Sequence, residues 1–286
     1  MKKEMNVLVS VNKGYLEELK EMIFSFAYNN RKKYNINVYL MYIELDEENL
    51  KNIGNFIKNK CKSNFIPVKF DSNPIEDMPV DDGEGGFFGL EAYSRLFSPY
   101  QLPQSIDRLL YLDADLICDG DMSELYEMDF EDNCFIACQD VGAGDEEKTR
   151  LGLPTDYKYI NSGVLLINTK KIREVYSQKD IINLIVSQSK ILKYPDQDFI
   201  NKNFEGMIKI MHRKFNLVLK DIKKEEVDFD IKIYHYAGGV KPWHDNVNRF
   251  HIDFIKPYYK YLFLEKRYVK LMKLYKKHKQ NRKNVV

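Results

Sequence analysis

A chain of 286 residues, 44% of them hydrophobic and 30% charged, has enough apolar material for one large core and the charge content of an ordinary globular protein. Its net charge of +1 hides two imbalances: six acids and no base from Asp71 to Gly86, and nine Lys or Arg against one acid from Glu265 to Val286. No apolar run is long enough to cross a bilayer, no leader cleavage pattern is visible, and Cys61, Cys118, Cys134 and Cys138 have neither zinc spacing nor a small-domain disulfide framework. The expected setting is therefore the cytosol, or the inner face of a membrane, with reduced thiols.

In chain order, Asn6 to Val11 reads as a buried strand, and Leu16, Leu19, Met22, Ile23 and Phe26 recur at helical spacing. A second strand is expected over Ile36 to Ile43, an amphipathic helix over Glu47 to Lys60, and a third strand over Phe65 to Phe70. This alternation argues an α/β fold with a parallel sheet, whose ligands sit beyond the carboxyl ends of the strands. Pro74, Pro79, Gly83, Gly85 and Gly86 make Asp71 to Phe88 a loop, and Leu90 to Leu96 a helix after it. A strand from Leu109 to Leu112 ends at Asp113, and Asp121 is placed to cap a short helix, Met122 to Tyr126. Further strands are expected at Cys134 to Cys138, ending near Asp140, and within Tyr159 to Asn168. Ile172 to Ile191 reads as mainly helical, Pro195 opens another helix, and Ile233 to Trp243 is rich in turns.

The strand into Asp113 raises a chemical question, because Asp113 and Asp115 are like charges that a strand projects to the same side. Such a pair repels unless a cation lies between the carboxylates, one is protonated, or both face water. A calcium loop does not fit, since Ile117 and Cys118 stand where that pattern needs Asp and Gly. A haloacid-dehalogenase phosphatase also places Asp-x-Asp after a strand. It is kept as a rival, although there the motif usually sits near the N-terminus. A hard cation such as manganese or magnesium suits the two carboxylates.

Four segments together resemble a family 8 retaining glycosyltransferase, the family of bacterial lipopolysaccharide galactosyl- and glucosyltransferases and of glycogenin. They are Tyr111-Leu-Asp-Ala-Asp115, Asn161-Ser-Gly163 running into Val-Leu-Leu-Ile-Asn168, Asp196-Gln-Asp198, and His235-Tyr-Ala-Gly-Gly-Val-Lys-Pro-Trp243. They stand in the family's order within residues 6 to about 244. The resemblance implies a single Rossmann-like nucleotide-sugar-binding domain of the glycosyltransferase A type, with a mainly parallel mixed sheet and a small helical C-terminal appendage. It further implies a UDP-sugar donor, a manganese or magnesium ion held by Asp113, Asp115 and His235, and transfer of glucose or galactose with retention. The acceptor would be a glycan, lipid-linked or protein-linked.

By the same resemblance Ser10, Val11, Asn12 and Tyr15 line the uracil and ribose, although many relatives carry an acid where Asn12 stands. Arg95, Ala114, Asn161, Ser162, Gly238 and Lys241 join the donor contacts. Gly238 and Gly239 let backbone approach the phosphates, and Lys241 is a point charge for them. Asp140, Asn161 and Asp196 are expected to hold sugar hydroxyls, and Gln197 to lie under the anomeric carbon. Five of these residues have a plainer reading: His235 in aromatic packing, Tyr15 packed on the sheet, Arg95 in a surface salt bridge, Asp196 as a helix cap, Lys241 in solvent. Front-face displacement is the favoured mechanism, and the acidic loop is expected to act as a lid. A non-catalytic nucleotide-sugar-binding module remains an alternative.

The chain divides into a catalytic domain, 1–250, and a tail, 251–286. In the tail Tyr258, Tyr259, Tyr261, Phe263, Tyr268, Leu271, Met272, Leu274 and Tyr275 alternate with Lys and Arg. That pattern suggests contact with an anionic membrane surface, or else a solvated helix packed on the domain. No nucleic-acid-binding module accompanies it, so no nucleic-acid partner is expected.

Overall fold

The structure is a computed structural model, and it describes residues 2–76, 78, 89–219, 222, 226–244 and 252–283. Its frame is a seven-stranded sheet built from β1 (Lys3–Ser10), β2 (Tyr34–Tyr42), β3 (Asn64–Lys69), β4 (Arg108–Leu112), β6 (Phe135–Gln139), β7 (Ile160–Asn168) and β8 (Ile208–Met211), in the order β3-β2-β1-β4-β7-β6-β8. Every pairing is parallel except those of β7, which runs antiparallel to β4 and β6. The C-terminal ends of β1, β4, β6 and β8 and the N-terminal end of β7 therefore open on one edge.

The central strands are apolar without alternation because both faces of the sheet are covered. Val7 and Val9 belong to one hydrophobic cluster while Leu8 belongs to the other. The first cluster holds α1 (Leu16–Asn30), and α2 (Glu47–Phe56) contributes Ile53 to it. The second holds residues of α3 (Ser94–Gln101), α6 (Thr169–Val175), α7 (Gln178–Gln188) and α8 (Pro195–Asn203).

Most expected elements are present with shifted ends. The helix expected over Glu47 to Lys60 is α-helical only to Phe56 and finishes in a wider π turn, Ile57–Cys61, with Lys62 at φ 57° closing it. The helix expected from Leu90 begins as a 3-10 turn, Leu90–Tyr93. Helix α4 (Ser123–Tyr126) starts after Met122, and Asp121 accepts bonds from Ser123 N and Oγ rather than standing as the cap. Most of the acidic loop, residues 77 and 79–88, lies outside the described residues, and so does its expected role as a lid.

A second sheet was not anticipated. It has three short strands, β5 (Leu116–Cys118), β10 (Ile233–His235) and β9 (Leu217–Val218), in the order β5-β10-β9. Two or three residues per strand carry no readable period, so pairing alone defines them.

The tail is helical, with α9 (Ile252–Leu264) and α10 (Tyr268–Lys283). Its aromatic residues divide into two sets. Tyr258, Tyr261 and Leu274 are buried in the same cluster as α1, whereas Phe263, Tyr268, Met272 and Tyr275 are exposed. Arg267 bonds Glu17 and Glu21 of α1, and Lys270 pairs with Glu21, which ties the tail to the domain by charge as well as packing. Among the described residues no helix is long and apolar enough to cross a membrane.

Candidate active site

Every site residue named from the sequence except Gly239 lines one cavity of about 840 Å³ at the edge where the strand ends converge. The chain after β1 supplies Val11, Asn12 and Tyr15, and Ser10 ends that strand. Asp113 and Asp115 follow β4, Asn161 and Ser162 begin β7, Asp140 follows β6, and Asp196 and Gln197 open α8.

Asp113, Asp115 and His235 offer ligand atoms that all lie within 4.8 Å of one another. Two pairings assemble them. Asp113 N donates to Gly163 O at 2.9 Å, extending the β4–β7 ladder, and the antiparallel β5–β10 pairing sets His235 beside Leu116, with Tyr236 N donating to Asp115 O at 3.1 Å. His235 Nε2 stands 3.4 Å from Asp115 Oδ1 and 3.9 Å from Asp113 Oδ2. Gly163 leaves room for this approach. A Cβ there would sit 2.3 Å from His235 Cε1 and 2.8 Å from Asp113 Oδ2.

A chain of amides fixes the histidine tautomer. Carboxylates only accept, so Asp140 Oδ2 takes a bond from Asn161 Nδ2 at 3.2 Å. Asn161 Oδ1 then accepts from Gly163 N at 3.0 Å and from Asn216 Nδ2 at 2.8 Å. Asn216 Oδ1 thus faces His235 Nδ1, 2.8 Å away, and accepts a hydrogen bond from Nδ1–H. In the neutral ring this leaves the Nε2 lone pair aimed at the two carboxylates, the state a metal-ligating imidazole needs. Two carboxylate oxygens and one such nitrogen fit a divalent cation of the manganese or magnesium kind.

Two buried cations flank the trio. The Arg95 guanidinium lies 3.1 Å from Asp113 Oδ1 and 3.0 Å from Asp196 Oδ2, donates to Ser162 O at 2.8 Å, and stacks 3.9 Å from the Tyr111 ring centroid. It is buried, so the surface salt bridge is not its setting. Tyr111 OH donates to the same Asp113 oxygen at 2.6 Å. Lys241 is 3% exposed, and its Nζ lies 2.5 Å from Asp115 Oδ2 and 2.7 Å from Tyr236 O. It is no solvated side chain. Burial works against the charge on Asp115, but the Lys241 ammonium foremost outweighs it, and that carboxyl is held well below the usual range. Burial dominates at Asp196 and pushes its carboxyl up, with Arg95 pulling the other way.

Around the anomeric position expected from the sequence, Gln197 Oε1 accepts from Ser162 N at 3.1 Å and from Asn161 Nδ2 at 3.2 Å, while Nε2 donates to Asp140 Oδ2 at 3.3 Å. Asp196 is not the cap of α8: Tyr194 holds that position. At the β1 end, Ser10 Oγ donates to Met41 O at 3.0 Å and Asn12 Oδ1 accepts from Gly14 N at 2.9 Å. The Tyr15 hydroxyl is pushed up to about 12, by burial first and then by Asp115, Glu18 and Asp113. Gly238 has φ 84°, a left-handed conformation that favours glycine.

Sequence reasoning missed Tyr111 as a partner of Asp113, Asn216 behind His235, and Arg213, Tyr194 and Glu226 in the cavity wall. Tyr111 heads the Tyr111–Asp115 motif. The others sit in no pattern of spacing, and only folding brings them to the cavity.

A family model described as glycosyl transferase family 8 matches residues 6–247. The chain belongs to glycosyl transferase family 8. A Haemophilus influenzae protein is 31% identical over 252 residues, which cover 84% of this chain and 73% of that protein. The lipopolysaccharide 1,2-glucosyltransferase of Escherichia coli is 29% identical over 269 residues, 89% of this chain and 77% of that one. Among solved structures, the galactosyltransferase LgtC in complex with donor and acceptor sugar analogs superposes with a TM-score of 0.73 at 20% identity, covering 89% of this chain and 95% of LgtC. That likeness supports the glycosyltransferase A type of fold. As a family 8 glycosyltransferase, the chain carries its carboxylate–carboxylate–imidazole trio inside the matched region.

Proposed function

We propose that the protein transfers a hexose, glucose or galactose, from a UDP-sugar to a glycan, lipid-linked or protein-linked acceptor, with retention and with a divalent metal ion. The observation that carries this reading is the trio of Asp113, Asp115 and His235 at one wall of the cavity, within reach of the Asp140–Asn161–Gln197 network at the next. A manganese or magnesium ion bound by the trio would neutralise charge on the departing diphosphate. Lys241 and Gly238 line the same cavity and suit the phosphate oxygens.

Asp140, Asn161, Asp196 and Gln197 supply directional acceptors and donors for sugar hydroxyls. Two donors already engage Gln197 Oε1, which leaves an amide oxygen poorly suited to attack the anomeric carbon. That favours front-face displacement: the acceptor hydroxyl approaches on the leaving-group side and a phosphate oxygen takes its proton. Asp113 and Asp115 are too close together, and too occupied by cations, to serve as a glycosidase acid–base pair. The E. coli relative, a lipopolysaccharide glucosyltransferase by name, agrees with a glycan acceptor.

The exposed Phe263, Tyr268, Met272 and Tyr275 beside the lysines of α10 support contact of the tail with an anionic membrane, and thus work at the inner face of a cytosolic membrane. The deciding experiment is UDP titration with and without manganese, followed by assay of UDP-glucose and UDP-galactose hydrolysis. Metal-dependent binding with turnover supports the transferase. Binding without turnover, acceptors present, supports a non-catalytic binding module instead.

A further inference from the structure

Among the described residues three Arg or Lys side chains line the cavity, and two are already paired: Arg95 with Asp113 and Asp196, Lys241 with Asp115. Arg213 is the third. Among the described residues its guanidinium makes no ion pair and no side-chain hydrogen bond; it lies 5.9 Å from the Phe229 ring centroid and close enough to Cys138 for its charge to act on that thiol. An unpaired guanidinium in a wall otherwise rich in carboxylates is placed to take an anion from the contents of the cavity.

The sheet order says which end of the contents. Read along the open edge, β1 presents the nucleoside side, β4 the Asp113–Asp115 pair, β7 and β6 the Asn161–Asp140 sugar network, and β8 comes last. Arg213 follows β8 after His212, held there by the 3-10 turn Arg213–Phe215 and by Cys138 Sγ contacting His212 O at 3.3 Å. Arg213 thus stands beyond the transferred sugar, on the side away from the base.

We infer that Arg213 reads an anionic group, a phosphate monoester or a carboxylate, on the acceptor sugar. This rests on the transferase reading above. Glu226 lines the same cavity without pairing with Arg213, and it opposes anions there. The acceptor affinity of the wild type is therefore the balance of an attractive and a repulsive group.

The test uses the full chain with manganese and UDP-hexose, and measures sugar-stimulated UDP release. The sugars are glucose, glucose 6-phosphate and methyl glucuronide, with their galactose counterparts. The expected result is a KM at least about tenfold lower for a charged sugar than for its neutral parent. Phosphate and glucuronide arms distinguish the two anions. Arg213→Ala should abolish the preference while leaving UDP affinity and acceptor-free hydrolysis unchanged. Arg213→Lys should keep part of it, and Glu226→Gln should enlarge it. Equal response to charged and neutral sugars, response to neither, or loss of UDP affinity in Arg213→Ala overturns the assignment. Failure of the wild type to bind UDP or hydrolyse its sugars overturns the donor reading itself, which the hydrolysis control detects separately.

Discussion

Lys241 Nζ lies 2.5 Å from Asp115 Oδ2, so the same carboxylate that would help bind a metal already holds a buried ammonium. The pairing joins residues 126 positions apart and satisfies two charges that would each be costly to bury alone. A metal ion arriving at Asp115 meets a competitor, and a diphosphate arriving with it offers Lys241 a new partner. Lys241→Ala is therefore expected to bind manganese more tightly than wild type in the absence of nucleotide. It should bind UDP about 10- to 100-fold more weakly in its presence, the scale of one charge-assisted contact. Calorimetric titration of each ligand separates the two effects, and parallel weakening of both would contradict the competition.

Gly163 sets a steric limit on the trio. With His235 Cε1 only 2.3 Å from where a Cβ would lie, Gly163→Ala must push the imidazole or the β4–β7 ladder aside. Manganese affinity is expected to fall about tenfold or more while circular dichroism stays native. Unchanged affinity would show that the ring can move without loss of the site.

The long strands were legible because burial on both faces gives them continuous apolar runs, as at Val7 to Val9 and Leu109 to Leu112. The short strands β5, β8 and β9 were not, since two to four residues hold no period. Asp113, Asp115 and His235 were legible as residue types in an ordered set of motifs. Their partners were only partly so. Asn216 reaches His235 from a turn with no motif, and Lys241, read as a mobile charge, is buried through a contact that sequence separation conceals. Tyr258 and Tyr261 look like membrane-facing aromatics in sequence, but α1 supplies the apolar surface that buries them.

Asn216 acts on the metal site only through His235. Asn216→Leu removes the acceptor for Nδ1–H and the donor to Asn161 Oδ1, freeing the ring to rotate and to change tautomer. Manganese affinity should drop roughly 10- to 100-fold, as for other groups that orient a ligating histidine. Asn216→Asp, which keeps an acceptor at Nδ1, should recover part of it. Equal manganese affinity in Asn216→Leu and wild type would remove Asn216 from the site's support.

Glu265 gives the tail a pH dependence. Its side chain is 6% exposed, Oε2 lacks a hydrogen-bond partner among the described residues, and Arg267 Nε stands 3.9 Å from Oε1. Burial raises its carboxyl from 4.5 to about 7, with Arg267 and Lys270 pulling it down and Glu21 and Glu17 pushing it up. The folded chain therefore keeps a proton that the unfolded chain has lost. Stability from this group is fully present below about 4.5, falls as pH rises toward 7, and is level above that. Glu265→Gln carries no such proton, so its melting temperature should exceed that of wild type at pH 8 by a few degrees, roughly the shift from one or two kcal/mol. The gap should close on acidification to pH 5. A gap that is constant with pH, or that widens in acid, would show that Glu265 is ionised in the folded protein across the range.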